Sequence, residues 1–146
     1  LHLGLSPWYK GSATLFWPFY FLEPQFAGIT LHNITEKPDQ GDIFHQSVPV
    51  LSMGDGIHDV AAKAVIRARN EVVTMMTIFK EVGELKLSRQ KTSGRVWRTS
   101  DFRPVHLRVV YNLYNNDIVD KYLKNYLSDE KPKLINGLKA YEKTLF

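Results

Sequence analysis

The chain has 146 residues, a length typical of a single globular domain with a sizeable core. It contains no cysteine, which excludes disulfides and thiolate metal sites, and no run of about eighteen apolar residues that could span a membrane. The net charge of +4 fits a solvated basic surface better than a nucleic-acid partner, because no motif of a nucleic-acid-binding module is present. The opening residues also lack the pattern of a signal peptide, so we expect a cytoplasmic protein.

The first fifty residues predict short elements connected by turns rich in Gly, Pro and Ser. The most apolar stretch, ATLFWPFYFL, predicts a buried helix that Pro18 disturbs. The predicted elements in chain order are a strand end at 1–3, a loop at 4–12, this helix at 13–22, and a hairpin of strands 28–34 and 43–50 around the turn 35–42.

A long amphipathic helix over residues 57–82 is the clearest prediction beyond the hairpin. Apolar residues recur at helical spacing from Ile57 to Phe79. Asp55 is the predicted N-cap, and Gly83 is the predicted residue that ends the helix. After the helix, the pattern predicts a strand at 84–88, a basic loop at 90–101, helices at 102–114 and 117–127, and a weak helix or tail at 133–146.

Polar residues with catalytic potential concentrate near the start of the chain. His2 stands where a predicted strand gives way to a loop, a position where α/β sheets bind ligands and where a histidine can act as general acid or base. Asp39 lies at the tip of the turn PDQG, where the hydrogen bonds of the turn alone also account for an aspartate. No two histidines are spaced four residues apart on a helix, so the sequence predicts no metal site.

Two motifs resemble the catalytic domain of the 10-formyltetrahydrofolate-dependent formyltransferases, a family that includes glycinamide ribonucleotide, methionyl-tRNA and aminosugar formyltransferases. The signature of the family runs Asn-x-His-x-Ser-Leu-Leu-Pro, then a Gly, and later Asp-x-Gly. The stretches LHLGLSPWYKG and KPDQGDI carry these motifs, and GITLHNI with DQGDIFHQSVPV resembles the hairpin of the family. The matching positions are His2, Pro7, Gly11, Asp39 and Gly41, with His32 in the hairpin.

The resemblance covers roughly residues 1–88 and implies an α/β fold class. It implies the C-terminal half of a Rossmann-like formyltransferase domain, built from a truncated strand, a β-hairpin and a long amphipathic helix. Residues 89–146 then form a mainly helical C-terminal extension. The implied function is transfer of a formyl group from the co-substrate 10-formyltetrahydrofolate to an amine of a small-molecule or aminosugar-type substrate, without a metal.

The resemblance also implies roles for individual residues. His2 is implied as the acid and electrostatic partner, and Asp39 as the carboxylate that handles the proton. The implied contacts to the folate are Pro38, Asp39 and Gly41. The implied substrate loop consists of Gly4, Ser6, Pro7, Lys10 and Gly11.

The sequence departs from the family pattern at three places. Gly4 stands at the serine of the motif, Ser6 stands at its second leucine, and the asparagine of the motif would fall before Leu1. The resemblance therefore predicts that these residues are a fragment with little transferase activity of its own. Apolar surface on residues 13–22 and at a truncated sheet edge would then favour a homodimer.

Two other functions remain open at this point. A formyltetrahydrofolate hydrolase shares the same half-domain, with water in place of the amine, and the motifs do not separate the two reactions. The second alternative is a non-catalytic interaction module derived from the fold. In each enzymatic case we expect a small-molecule partner, and neither a membrane nor a nucleic acid.

Overall fold

The computed structural model describes residues 1–90 and 94–142 as a mixture of helices and short strands. This architecture agrees at a coarse level with the α/β class expected from the sequence. The main elements in chain order are β1 (Tyr9–Gly11), α1 (Trp17–Tyr20), β2 (Ile29–His32), β3 (Ile43–Ser47), α2 (Ile57–Val82), β4 (Arg95–Trp97), α3 (Pro104–Arg108) and α4 (Ile118–Leu123). Shorter 3₁₀ segments lie at Pro24–Phe26, Thr99–Asp101 and Leu138–Tyr141, and a π-helical turn spans Val109–Leu113.

The antiparallel β2–β3 hairpin is shorter than its prediction at both strands. Its register pairs Ile29 with Ser47, and an irregularity follows Leu31. The predicted strand end at 1–3 is a single bridge, in which the backbone N–H and carbonyl of His2 each bond to Thr30 at 2.9 and 3.0 Å. The hairpin therefore holds the first residues of the chain in place.

Strands β1 and β4 form a parallel pair that the sequence analysis assigned to loops. Their register places Gly11 opposite Trp97. Gly11 has φ +89°, and a Cβ at this position would lie 2.1 Å from the carbonyl oxygen of Trp97. The pairing is supported by the ring of Trp97, which stacks on Trp17 with 4.0 Å between the ring centroids.

Helix α2 confirms the prediction over 57–82, but not the predicted cap. Gly83 has φ +77° and ends the helix as expected. The N-cap is Gly56, whose N–H donates to Asp59 Oδ2 at 2.9 Å, so the prediction of Asp55 was wrong by one residue. Asp59 in the first turn satisfies a backbone donor that the helix itself leaves free.

The apolar stretch 13–22 is largely buried, as predicted, but its helix is shorter than predicted. Only Trp17–Tyr20 is helical, with a proline in its first turn. Trp17 and Phe19 are each 1% exposed, so the apolar surface from which the homodimer was argued is largely buried. Phe21 remains 45% exposed.

The C-terminal part packs into the same core as the N-terminal loop. Val110 and Ile118 share a buried cluster with Leu5 and Trp17. The predicted division after residue 88 stays a prediction. The predicted helices at 102–114 and 117–127 are shortened to α3 with the π-helical turn and to α4, and the predicted strand at 84–88 is a single bridge from Ser88 to Ile43.

Two stretches of the predicted elements lie outside the described residues. They are 91–93 in the predicted basic loop and 143–146 in the predicted tail. In the part of the chain that the structure describes, no helix is long and apolar enough to cross a membrane.

Candidate active site

Asp39 lies at the centre of a polar cluster formed by the N-terminal segment and the hairpin turn. Its Oδ1 is 3.2 Å from His2 Nδ1 and 3.6 Å from His32 Nε2. Its Oδ2 accepts a hydrogen bond of 2.8 Å from the backbone N–H of Gly11. The structure thus brings together the two residues that the sequence analysis proposed as catalytic, and it adds His32 to them.

The conformation of the hairpin turn explains why an aspartate stands at its tip. Asp39 has φ +55°, a left-handed conformation that Asp and Asn tolerate better than other non-glycine residues. At Gly41, a Cβ would lie 1.9 Å from the carbonyl oxygen of Asn33, so the turn closes tightly there. Pro38 lies exposed in the same turn. Asp39 and Gly41 therefore form the turn, and Asp39 also supplies the carboxylate of the candidate site.

His2 is buried, and both of its ring nitrogens face acceptors. Nε2 lies 3.0 Å from the carbonyl oxygen of Tyr9, and Nδ1 faces the Asp39 carboxylate. Both contacts are hydrogen bonds only when both nitrogens carry a proton. Burial lowers the pKa of His2 below its ordinary value, and it outweighs the Tyr9 carbonyl and Asp39, which raise that pKa. The ring is therefore placed to gain and lose a proton beside Asp39.

Gly4 leaves room for the ring of His2. A Cβ at Gly4 would lie 2.5 Å from His2 Nε2 and 2.6 Å from Thr14 Cβ. The hydroxyl of Thr14 occupies this space and donates to the carbonyl oxygen of Leu3. The packing at this position therefore requires a glycine, because any β-carbon would meet His2 and Thr14.

The rest of the predicted substrate loop is fixed by hydrogen bonds to the hairpin. The hydroxyl of Thr30 accepts from the N–H of Ser6 at 3.0 Å and donates to the carbonyl of Gly4 at 2.7 Å. Gln46 Nε2 donates to the carbonyl of Ser6. Ser6 is fully buried and Lys10 is 1% exposed, so both side chains are part of the interior.

A cavity of about 510 Å³ opens beside this cluster, within the size range of small-molecule sites. Of the predicted substrate loop, Gly11 lines it, together with His2. Its other walls come from the first residues of the chain, from residues 13–16, from the first turns of α2 and from the C-terminal segment 102–111. Four of its lining side chains are polar, namely those of His2, Thr14, His58 and Tyr111.

His58 and Tyr111 form a polar pair that the sequence analysis missed. The hydroxyl of Tyr111 and His58 Nε2 lie 2.6 Å apart. His58 is the second residue of α2, and Tyr111 lies in the π-helical turn. No local motif signals this pair, because its two residues lie 53 positions apart in the sequence.

A second charge cluster, partly buried, lies on β3 and α2, among residues that do not line the cavity. Glu71 accepts hydrogen bonds from the hydroxyl of Ser47 and, at 2.8 Å, from Arg67 Nε, and its Oε1 lies 3.5 Å from His45 Nε2. Burial raises the pKa of Glu71, but these three neighbours outweigh burial and lower the pKa to about 2. The cluster ties α2 to the hairpin, which supports the turn that carries Asp39.

Neither cluster has the donor set of a metal centre. Within residues 1–90 and 94–142, no group of three or more His, Asp or Glu side chains is arranged to hold a metal ion. The chemistry that the Asp39 cluster offers is hydrogen bonding, proton transfer and electrostatic stabilisation.

Comparisons with known proteins identify the fold. No family model matches the chain, and no curated protein matches it by sequence. Among solved structures, it is similar to the formyltransferase PseJ from Anoxybacillus kamchatkensis, determined in complex with UDP-4,6-dideoxy-4-formamido-L-AltNAc and tetrahydrofolate. The match has a TM-score of 0.62 and 19% identity, and covers 80% of this chain.

The chain spans 60% of the length of that formyltransferase. At this level of identity the likeness shows the fold alone. The described residues therefore have the fold of part of a formyltransferase.

Proposed function

We propose that the chain contributes to the transfer of a formyl group from 10-formyltetrahydrofolate to the amine of a small molecule of the aminosugar type. The observation that carries this proposal is the contact of 3.2 Å between His2 Nδ1 and Asp39 Oδ1. The Gly11 N–H holds the Asp39 carboxylate by a hydrogen bond, and both His2 and Gly11 line the cavity. The fold likeness to a formyltransferase supports this proposal at a coarse level.

The reaction requires charge and proton management that these residues can provide. The amine nitrogen attacks the formyl carbon, a new C–N bond forms, and the carbonyl oxygen becomes negative before the bond to the folate nitrogen breaks. The attacking amine must lose a proton, and the departing nitrogen must gain one. Asp39 accepts the proton of the attacking amine, directly or through water, and returns it to the departing folate nitrogen, while an N–H of His2 stabilises the oxyanion.

The observed geometry restricts how His2 takes part. Both ring nitrogens already face acceptors, the Asp39 carboxylate and the Tyr9 carbonyl. A direct hydrogen bond from His2 to the oxyanion therefore requires one of these contacts to be shared or released. Loss of a single oxyanion donor typically reduces the rate by about 10²–10³.

The hairpin turn is the part of the proposed site that would hold the folate. The side chain of Asp39 is 18% exposed, so the carboxylate stays reachable while Gly11 fixes one of its oxygens. This fits a co-substrate that brings the formyl group to the carboxylate. Pro38 and Gly41 shape the same turn and would contact the folate through their backbone.

The test is a formyl-transfer assay on the natural polypeptide that carries these residues. Formyl-labelled 10-formyltetrahydrofolate is mixed with a 4-amino-4,6-dideoxyhexose nucleotide, and mass spectrometry follows the label. We expect the label on the amine, and a rate about 10²–10³ lower in His2→Gln. Label that appears only as formate, with or without the amine, would identify a hydrolase and overturn the transferase proposal.

A further inference from the structure

A second cavity, of about 430 Å³, lies between the N-terminal loop, β3, residues 89–90 and the C-terminal segment 133–135. His2, His32 and Asp39 do not line it, so it is distinct from the candidate active site. We infer that this cavity binds an aromatic acid, a small molecule with a carboxylate at one end of an aromatic ring and a hydroxyl or amino group at the other. This ligand is neither the folate nor the amine of the proposed reaction.

Two buried polar atoms at this cavity have no hydrogen-bond partner in the part of the chain that the structure describes. They are the hydroxyl oxygen of Ser6 and the side-chain oxygen Oε1 of Gln90. Ser6 is fully buried and Gln90 is 7% exposed. Nearly all buried polar atoms in proteins are paired, because an unpaired one costs stability. A ligand hydroxyl can donate to Gln90 or exchange a hydrogen bond with Ser6, and an amino group can donate to either.

Neighbouring hydrogen bonds fix the orientation of these two side chains. Gln90 Nε2 donates to the carbonyl oxygen of Gly41 at 2.9 Å, so a flipped amide would place two acceptor oxygens against each other. The backbone N–H of Ser6 donates to Thr30 Oγ1 at 3.0 Å, and its carbonyl accepts from Gln46 Nε2. The hydroxyl of Ser6 and the Oε1 of Gln90 therefore remain for a ligand.

The identity of Ser6 supports a polar role for this wall of the cavity. Ser6 stands at the second leucine of the family motif. A leucine at a fully buried position needs no hydrogen bond, whereas a buried hydroxyl without one is unfavourable. Core packing alone would therefore favour the apolar side chain. The serine instead provides a hydrogen-bonding group at the cavity.

Positive charge at the exposed residues of the cavity favours an anionic ligand. Arg89 and Lys133 line the cavity and are exposed, and no aspartate or glutamate is among its lining residues. Within residues 1–90 and 94–142, neither of the two cations forms an ion pair. An arginine can hold a carboxylate through two parallel hydrogen bonds. A carboxylate therefore fits this cavity better than a neutral or cationic group.

The apolar walls favour an aromatic ring in the same ligand. Trp8, Ile43 and Leu134 line the cavity, and Trp8 is 36% exposed. The ring of Trp8 meets Phe26 edge to face with 5.6 Å between the ring centroids, so Phe26 supports its orientation. A ligand ring that packs on Trp8 gains both buried area and aromatic contact. The volume of about 430 Å³ lies within the size range of small-molecule sites.

The experiment is an NMR titration of the purified chain with 4-hydroxyphenylacetate and two matched probes. Phenylacetate lacks the hydroxyl, and 4-hydroxyphenethyl alcohol lacks the charge. We expect 4-hydroxyphenylacetate to bind about two- to tenfold more tightly than phenylacetate, the usual effect of one hydrogen bond, and more tightly than the alcohol. The indole signal of Trp8 should shift more than that of Trp17, which does not line the cavity.

Three outcomes of this titration would overturn the inference. They are no saturable binding of either acid, equal affinity for the two acids, and an unshifted Trp8 signal. Equal affinity would mean that water or protein, and not a ligand hydroxyl, satisfies Ser6 and Gln90.

The variants Ser6→Ala and Arg89→Gln test the two ends of the ligand separately. Ser6→Ala should remove most of the preference for the hydroxylated acid and leave the affinity for phenylacetate unchanged. It should be as stable as the wild type, because the hydroxyl that it removes has no partner. Arg89→Gln should weaken both acids by about threefold or more and leave the alcohol unaffected.

Arg69→Gln is the matched control for Arg89→Gln. Arg69 is exposed on α2 and does not line the cavity, so this variant changes the net charge by the same amount at a different place. We expect it to leave the affinity for both acids unchanged. An equal loss in Arg69→Gln and Arg89→Gln, or a preference for the hydroxylated acid that survives Ser6→Ala, would overturn the inference.

Discussion

The substitution Asp39→Asn isolates the charge of the central carboxylate. Asparagine tolerates the left-handed φ of +55° at this position, and its Oδ1 can accept the same hydrogen bond from the Gly11 N–H. What the substitution removes is the negative charge that faces His2 Nδ1 at 3.2 Å. Because Asp39 raises the pKa of His2 while burial lowers it, we expect that pKa to fall further in Asp39→Asn.

The effect on stability can be worked out from the same contacts. The side chains of His2 and Asp39 are 7% and 18% exposed, so their contact is only partly screened by water. A hydrogen bond to a charged group contributes about 1.5–3 kcal/mol, and we expect Asp39→Asn to lower the free energy of unfolding by up to this amount. Asp39→Ala also removes the Gly11 hydrogen bond, and alanine lacks the short polar side chain that lets Asp and Asn adopt the left-handed conformation, which costs about 1–2 kcal/mol more.

The assay combines NMR titration of the His2 ring with urea unfolding of both variants. The ring signals give the pKa directly, and the unfolding curves separate a local charge effect from a general loss of structure. A pKa of His2 that stays the same or rises in Asp39→Asn would refute the pairing. So would an Asp39→Asn variant that is less stable than Asp39→Ala.

Three further predictions follow from other contacts. The pKa of Glu71 is about 2 against an ordinary 4.5, so it stabilises the fold above pH 4.5, and this stability is lost as the pH falls from 4.5 towards 2. In Glu71→Gln, the loss of the free energy of unfolding between pH 4.5 and pH 2 should therefore be smaller by about 2–3 kcal/mol. This value allows for the screening of the exposed Arg67 by water. Gly4→Ala should lower the free energy of unfolding by about 1–3 kcal/mol, because its Cβ meets His2 and Thr14. The homodimer expected from the sequence is tested by light scattering.

Each of these predictions has a clear contradicting outcome. An unchanged acid slope in Glu71→Gln would mean that its neighbours do not stabilise the ionised form. A Gly4→Ala chain as stable as the wild type would show that the His2 ring is not confined as described. A monomer at high protein concentration would contradict the homodimer. Trp17 and Phe19 are each only 1% exposed, which leaves little apolar surface on residues 13–22 for a second copy to cover.

Local periodicity predicted the elements that depend on local interactions. Helix α2 repeats apolar residues over 26 positions and ends at a glycine, so both its length and its end could be predicted from the sequence. The hairpin was predicted from β-branched residues around a turn, although its strands are shorter than predicted. Asp55 and Gly56 are adjacent and both are acceptable caps, which explains the error of one residue.

Elements that depend on distant partners could not be predicted in this way. Strand β1 has three residues and pairs with β4 across most of the chain, so neither strand shows a pattern of its own. The same holds for the site. The resemblance to a family pointed to His2 and Asp39, whereas His58 and Tyr111 meet only because the C-terminal segment packs on the start of α2. The sequence pattern of the π-helical turn that positions Tyr111 is the same as that of an ordinary α-helix, so the sequence did not indicate this turn.

The most direct test of the central claim is the single-turnover rate of formyl transfer in the wild-type polypeptide and in Asp39→Asn. The claim is that the carboxylate beside His2 handles the proton of the attacking amine. It predicts labelled formamide from the wild type and a rate about 10²–10⁴ lower in Asp39→Asn, at unchanged affinity for the amine substrate. Transfer at the wild-type rate in Asp39→Asn would contradict the claim.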